Sequence, residues 1–238
     1  MKTRLTILAL LSLSMPASGT DSPPPFSSLA AGQVLPKEFR ILTLPKIAAN
    51  KFALVTDEGT TVLRVDSDHG AGSLALPLTT SAGDAPRLLE WRWKVSRVLD
   101  KADMRTKPGD DFSARVYVFF DVAMDSLSFA DRTRLRLARM IAAPDVPTAA
   151  LCYVWDNKYA VGYTQWSAYS NRAQMIVLQS GSANIGKWMT ESRDIAADFR
   201  AAFGFDAPAV TGVAVGNDTD NTGELVSTWF GDVSLKKK

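Results

Sequence analysis

The strongest constraint on this chain is a run of strict alternation. From Glu90 to Val95 it reads Glu-Trp-Arg-Trp-Lys-Val, which sets Trp91, Trp93 and Val95 against Arg92 and Lys94. Successive side chains of an extended strand point to opposite faces, so this segment predicts a strand with one apolar and one charged side. Two indole rings on one face require a second apolar layer above them. Comparable short segments recur along the chain at Phe39–Leu44, Lys51–Thr56, Thr61–Val65, Ser113–Asp121, Ala149–Trp155, Gln174–Gln179, Val210–Val215 and Ser227–Leu235. The pair flanking Asp57-Glu58-Gly59 reads as a β-hairpin. Two stretches break the pattern and predict helices. Asp125–Ala143 carries Arg132, Arg134, Arg136 and Arg139 and stops at Pro144, while Glu191–Phe203 spaces Ile195, Phe199 and Ala202 before Gly204. The sum is an all-β chain with two short helical insertions. We expect a single antiparallel β-sandwich, jelly-roll-like, over residues 39–235.

The first residues read differently. Lys2 and Arg4 precede an apolar run from Leu5 to Met15, followed by Pro16-Ala17-Ser18-Gly19. A basic start, a short apolar stretch and small residues describe a cleavable secretory signal over residues 1–19. The run is shorter than the roughly 20 residues that span a bilayer, so no transmembrane segment is expected after cleavage. The expected location is periplasmic or secreted. Residues 20–38 form a leader in which Pro23-Pro24-Pro25 cannot enter a sheet and is expected to be mobile or extended. Loss of Lys2 and Arg4 brings the formal net charge of +2 to zero, and Lys236–Lys238 form a basic tail, so the folded body is mildly acidic. That balance excludes nucleic acid as a partner, which would need a concentrated basic face.

Cys152 is the only cysteine and His69 the only histidine, which excludes an internal disulfide and an ordinary Cys/His zinc site. Cys152 sits in the run Ala149–Trp155 and is expected to be a buried, inert thiol. The densest polar segment is Asp103–Phe112. Asp103, Asp110 and Asp111 are the acid/base candidates there, since neighbouring carboxyls can be held in different protonation states. The alternative is a turn, for which Pro108-Gly109-Asp110-Asp111 is well suited. The loop Gly216–Glu224 concentrates oxygen donors, with Asp218 and Asp220 as possible calcium ligands. It departs from an EF-hand loop because the position of the late bidentate Glu is aromatic, and an Asx-rich hairpin turn is the alternative. Arg193, Asp194, Asp198 and Arg200 read as solvated ion pairs on the second helix. Ligand-binding candidates are Arg92, Arg105, Arg115, Tyr117, Trp155, Tyr163 and Trp166. The stretch Asp156–Ser167 mixes aromatic and amide side chains, a combination that suits a sugar ring as well as plain loop packing.

Taken together, Trp91-Arg92-Trp93-Lys94-Val95, Gly109-Asp110-Asp111-Phe112, Arg115-Val116-Tyr117-Val118, Tyr153-Val154-Trp155, Arg193-Asp194-Ile195, the stretch from Asn217 to Gly223 and Phe230-Gly231-Asp232-Val233 resemble the bacterial family called domain of unknown function 3047. The likeness runs from about Phe39 to Leu235 and implies an exported bacterial context. A second likeness joins Lys187-Trp188-Met189-Thr190 and Trp229–Leu235 to the last third of galactose-binding-like jelly rolls. It implies a carbohydrate-binding fold and, through Asp232, a structural calcium near the chain ends. The functional expectation is glycan binding in the periplasm or cell envelope, with a glycan or envelope component as partner. Two alternatives stay open: a carboxylate-dependent glycan-cleaving enzyme, and a structural partner of an envelope complex.

Overall fold

The computed structural model describes residues 22–78, 88–126, 129, 132 and 147–236. The expected signal over residues 1–19, most of the expected helix Asp125–Ala143, and Lys237 and Lys238 of the tail lie outside the described residues.

A short 3-10 turn at Phe26–Ser28 precedes β1 (Arg40–Leu42), β2 (Ala48–Ala49), β3 (Lys51–Asp57), β4 (Thr60–Asp68) and β5 (Gly70–Pro77). Then come β6 (Leu88–Val95), β7 (Phe112–Phe120), β8 (Ala149–Asp156), β9 (Thr164–Ser167), β10 (Ser170–Ser180) and β11 (Met189–Asp194). The helix α1 (Ile195–Phe203) leads to β12 (Val210–Asp218), β13 (Leu225–Phe230) and β14 (Ser234–Lys236). One sheet has the order β1-β5-β12-β7-β8-β10-β9, with β2 also beside β5; the other runs β11-β6-β13-β4-β3, with β14 beside β6. The fold is the β-sandwich read from the sequence, and its neighbours are antiparallel except β8 with β10 and β2 with β5. The β8–β10 pair is parallel because the chain leaves β8, returns outside β10 as β9, and turns back.

Alternation explains the layers. In β6, Leu89, Trp91, Trp93 and Val95 are buried while Glu90, Arg92 and Lys94 reach toward solvent. Trp91 packs on Tyr153 with ring centroids 5.3 Å apart, and Trp93 packs on Trp155 at 6.0 Å. These four rings lock the two sheets face to face. The opposite side of β8 is covered too, since Cys152 and Val154 pack with Met104, Phe112, Met175 and Val177, flanked by Tyr117, Tyr159 and Tyr163. Burial pushes the Cys152 thiol far up, in keeping with an inert side chain.

The β3–β4 hairpin forms as read, with Glu58 at φ 49° and Gly59 at φ 75°, the pair of positive φ values a two-residue type I′ turn requires. The leader contributes to the core: Phe26 is buried and stacks on Phe39 with centroids 5.6 Å apart. Two expectations need correction. Residues 191–194, expected as the first turn of a helix, belong to β11 because they pair with β6, and Asp194 then caps α1 by accepting from the Ala197 N–H at 3.0 Å. The segment Gly216–Glu224 is not a hairpin turn, because β12 and β13 belong to different sheets. The crossing is pinned by Asn217, fully buried, whose Nδ2 donates to the Val65 carbonyl at 3.1 Å and to Thr228 Oγ1 at 2.9 Å, and whose Oδ1 accepts from Asn50 Nδ2 at 2.8 Å. Among the described residues, no helix is long and apolar enough to cross a membrane.

Trp93→Ala is expected to cost about 3–5 kcal/mol, measured by denaturant titration, whereas Val34→Ala at an exposed site should change stability by less than about 0.5 kcal/mol. Glu191 accepts from Trp93 Nε1 at 3.2 Å and Gln179 Nε2 at 2.8 Å, and burial outweighs these bonds to raise its carboxyl above 4.5. The native state therefore holds more protons than the unfolded chain from that value upward, and stability falls as pH rises through the folded value. Glu191→Gln should flatten that part of a stability–pH curve.

Candidate functional site

Two places gather chemistry-bearing side chains. The first lies where the start of β7 meets the end of β12, paired in register at Phe112 and Asp218. Asp110 and Asp111 close the turn that feeds β7, and Asp218 and Asp220 lie at and just beyond the end of β12. One carboxylate oxygen from each of Asp111, Asp218 and Asp220 falls within 4.8 Å of the others. Gly216 permits the approach of β12 to β5, since a Cβ there would sit 2.3 Å from the Gly72 carbonyl oxygen. Asp111 holds the following loop by accepting from the Asn221 N–H at 3.3 Å, Asn221 Nδ2 at 3.1 Å and the Thr222 N–H at 2.7 Å. Asp218 accepts from the Phe112 N–H at 3.0 Å and pairs with the Arg115 guanidinium at 2.5 Å.

Electrostatics follow from this crowding. Burial pushes Asp218 well above the ordinary carboxylate value, against the pull of Arg115, and Asp111 and Asp110 add to the push. Burial likewise raises Asp110 and Asp220. Burial also opposes charge on Arg115, but Asp218 and its neighbours outweigh it and hold the guanidinium charged. Tyr117 stands beside Arg115 on the outer face of β7, its ring 5.3 Å from the guanidinium carbon, and burial pushes its hydroxyl well up.

The second place is a cleft of about 400 Å³ at the β9 edge of the sandwich. Its floor continues the inner face of β10, with Gln174, Ile176 and Leu178, and of β9, with Thr164 and Trp166. Trp166 sits opposite Gln174 across the strand pair and Thr164 opposite Ile176. Its wall is Arg193 at the end of β11 and Asp198, Ala201 and Ala202 of α1. Asp198 accepts from Arg193 at 3.0 and 2.6 Å and from the Tyr153 hydroxyl at 2.7 Å. Trp166 is 36% exposed and leans edge-on against Phe203 at 5.3 Å. An exposed indole facing a fixed ion pair and an amide can hold a ligand with one apolar face and several hydroxyls.

The structure separates the other residues singled out from the sequence. Asp103 accepts from Tyr159 Oη at 2.8 Å, Lys158 Nζ at 3.1 Å and the Arg105 N–H at 3.1 Å, and Arg105 is exposed. Burial works to raise Asp103, but these hydrogen bonds outweigh it and hold the carboxyl below its usual value. Arg92 lies on the other sheet with its guanidinium 4.4 Å from the Trp188 ring. Trp155 is core, 1% exposed. Tyr163, just before β9, stacks on Tyr159 at 4.7 Å, donates to Gln165 and packs with the Cys152 and Val154 cluster, away from the cleft. Asp232 accepts from Ser27 N at 2.8 Å and Oγ at 2.5 Å, and so ties down the leader, apart from Asp218 and Asp220. Sequence reasoning missed Gln174, included Thr164 only within the stretch Asp156–Ser167, and read Arg193-Asp194 and Asp198-Arg200 as solvated pairs on a helix. Strand 189–194, had its alternation been separated from α1, was the available signal.

Arg115→Met is expected to destabilise the protein by about 3–5 kcal/mol by leaving Asp218 buried without its counter-charge, and Asp218→Leu in the same chain should recover most of the loss. Denaturant titration of the three variants checks this.

Several solved structures resemble the chain. The xyloglucanase domain of NopAA, a type three effector from Sinorhizobium fredii in complex with cellobiose, superposes with TM-score 0.46 at 9% identity over 87% of this chain and 98% of that one. The family 11 carbohydrate-binding module from Clostridium thermocellum, in complex with a β-1,3-1,4-mixed-linked tetrasaccharide, gives 0.39 at 6% identity over 84% and 89%. The cellulose induced protein Cip1 gives 0.36 at 13% identity over 84% and 92%. Among curated proteins, none matches the chain in sequence. The sequence pattern of DUF3047, described as a protein of unknown function, matches residues 37–234, nearly the whole sandwich, and the chain belongs to that family.

Proposed function

We propose that this chain is an exported glycan-binding protein whose ligand seat is the cleft beneath Trp166. The observation that carries the reading is a single one: a half-open indole faces the Arg193–Asp198 pair and the Gln174 amide across about 400 Å³. A pyranose presents C–H groups on its faces and hydroxyls around its rim. The first suit an aromatic plane, and the second suit planar polar groups held by neighbours rather than by water. Asp198 is oriented before any ligand arrives, because Tyr153 and Arg193 both donate to it, so little ordering cost falls on binding.

Binding is favoured over cleavage by the count of carboxyls. Glycoside hydrolysis needs two, roughly 5–10 Å apart across the scissile bond. Among the described residues the cleft is lined by one, Asp198, and that one is already held by a guanidinium. None of the acid/base candidates Asp103, Asp110 and Asp111 lines the cleft, and Asp103 and Asp111 accept from neighbouring turn and loop donors. Export is supported by the order of basic, apolar and small residues over the first 19 positions.

Trp166→Ala is expected to weaken retention on immobilised or arrayed glycans by at least about tenfold, with an unchanged melting temperature. Tyr163→Ala, on the other face of the sheet, should leave retention intact. Wild-type protein that retains no glycan, or a Trp166→Ala variant that binds as well as wild type, contradicts the reading. Intact mass of the protein from its native host is expected to begin at Thr20.

A further inference from the structure

We propose that Asp111, Asp218 and Asp220 bind one hard divalent cation, calcium, at the junction of β7 and β12, beside the buried carboxyl of Asp110. This site is independent of the glycan cleft.

The first support is geometric. Calcium takes oxygen ligands at about 2.3–2.6 Å, so two ligands of one ion lie at most about 5 Å apart. Oxygens of Asp111, Asp218 and Asp220 all meet within 4.8 Å, although residues 111 and 218 are far apart in sequence. The pairing of Phe112 with Asp218 brings Asp111 beside Asp218, and the bonds from Asn221 and Thr222 to Asp111 hold the loop that carries Asp220.

The second support is an orphaned acceptor. Asp110 is 7% exposed, and its Oδ1 has no hydrogen-bond partner. Asp110 immediately precedes Asp111 at the end of the turn that feeds β7, so the orphaned oxygen lies beside the cluster. In the same loop the buried Thr222 Oγ1 is also without a partner. A buried carboxylate oxygen left unpaired is costly, and natural structures retain few of them without a compensating ligand.

Charge points the same way. Four carboxyls face one guanidinium, and Arg115 is already engaged with Asp218. The Lys107 ammonium lies over the Tyr169 ring at 5.3 Å. The two hydrogen bonds from Asn221 occupy Asp111 Oδ1, whereas Oδ2, accepting from the Thr222 N–H alone, keeps a further lone pair in a fixed direction before an ion enters. An all-oxygen donor set without His or Cys suits calcium and not zinc. Asp232, bonded to Ser27, is not one of the ligands.

Terbium is the probe, because it takes calcium's ligands and is excited through nearby tyrosine, and Tyr169 Oη lies 3.3 Å from Asn221 Oδ1. Full-length mature protein is expected to give a luminescence signal that saturates at one ion per chain and is displaced by calcium. The signal should be lost in Asp110→Asn/Asp220→Asn, and in Asp220→Asn alone it should fall at least tenfold in affinity. Melting in chelator controls for folding: the double variant should match or exceed wild type there, and only wild type should gain stability on adding calcium. Absence of a saturable signal, failure of calcium to compete, or a signal that survives both variants overturns the proposal.

Discussion

Everything in this molecule rests on the contact of Trp91 and Trp93 with Tyr153 and Trp155 across the sandwich. Each ring is large enough that its burial outweighs many ordinary contacts, and the geometry of tilted and edge-on rings fixes the relative position of the two sheets. Trp93 and Trp155 also anchor their rims by donating to Glu191 and to the Gly181 carbonyl. The charged face of β6 then follows without further instruction, because period two leaves Arg92 and Lys94 no other side.

That central stack determines what happens at the edges. The larger sheet continues past the stack as β10 and β9, while the smaller sheet ends in β11. The overhang would expose the inner faces of Ile176 and Leu178. The helix α1 fills part of this space with Ile195 and Phe199, and the remainder is the cleft. At another margin of the larger sheet, the chain must cross from β12 to β13. The buried Asn217 bonds make that crossing rigid, and the same rigidity crowds Asp218 and Asp220 against Asp111. Both candidate sites are thus by-products of closing two unequal sheets over one core.

Much of this was legible in the residues. Strict alternation in β6 and the Glu58-Gly59 turn specify local structure by short-range sterics alone, and each formed as read. The family likeness was carried by motifs that turn out to lie on β6, β7, β8 and the β12–β13 crossing. What failed was long-range. Asn217–Gly223 has the composition of a hairpin turn, and nothing local says that its two flanking strands join different sheets. Trp155, Tyr163 and Trp166 have the same aromatic character, yet Trp155 shares the inner face and is covered by Trp93, Tyr163 packs on the outer side, and Trp166 is the one that borders the cleft. Arg193 and Asp198 pair across a strand–helix junction that appears only once β11 is recognised as a strand.

The proposed glycan seat lies at the sandwich edge and not on a sheet face. This placement is tested most directly by following the tryptophan indole and arginine side-chain resonances of the mature protein during titration with an oligosaccharide drawn from its own glycan-array hits. Saturable shifts are expected at Trp166 and Arg193, with Trp188 and Trp229 unmoved. Shifts confined to Trp188, Trp229 and Arg92, with Trp166 silent, would place recognition on the opposite sheet and contradict this placement.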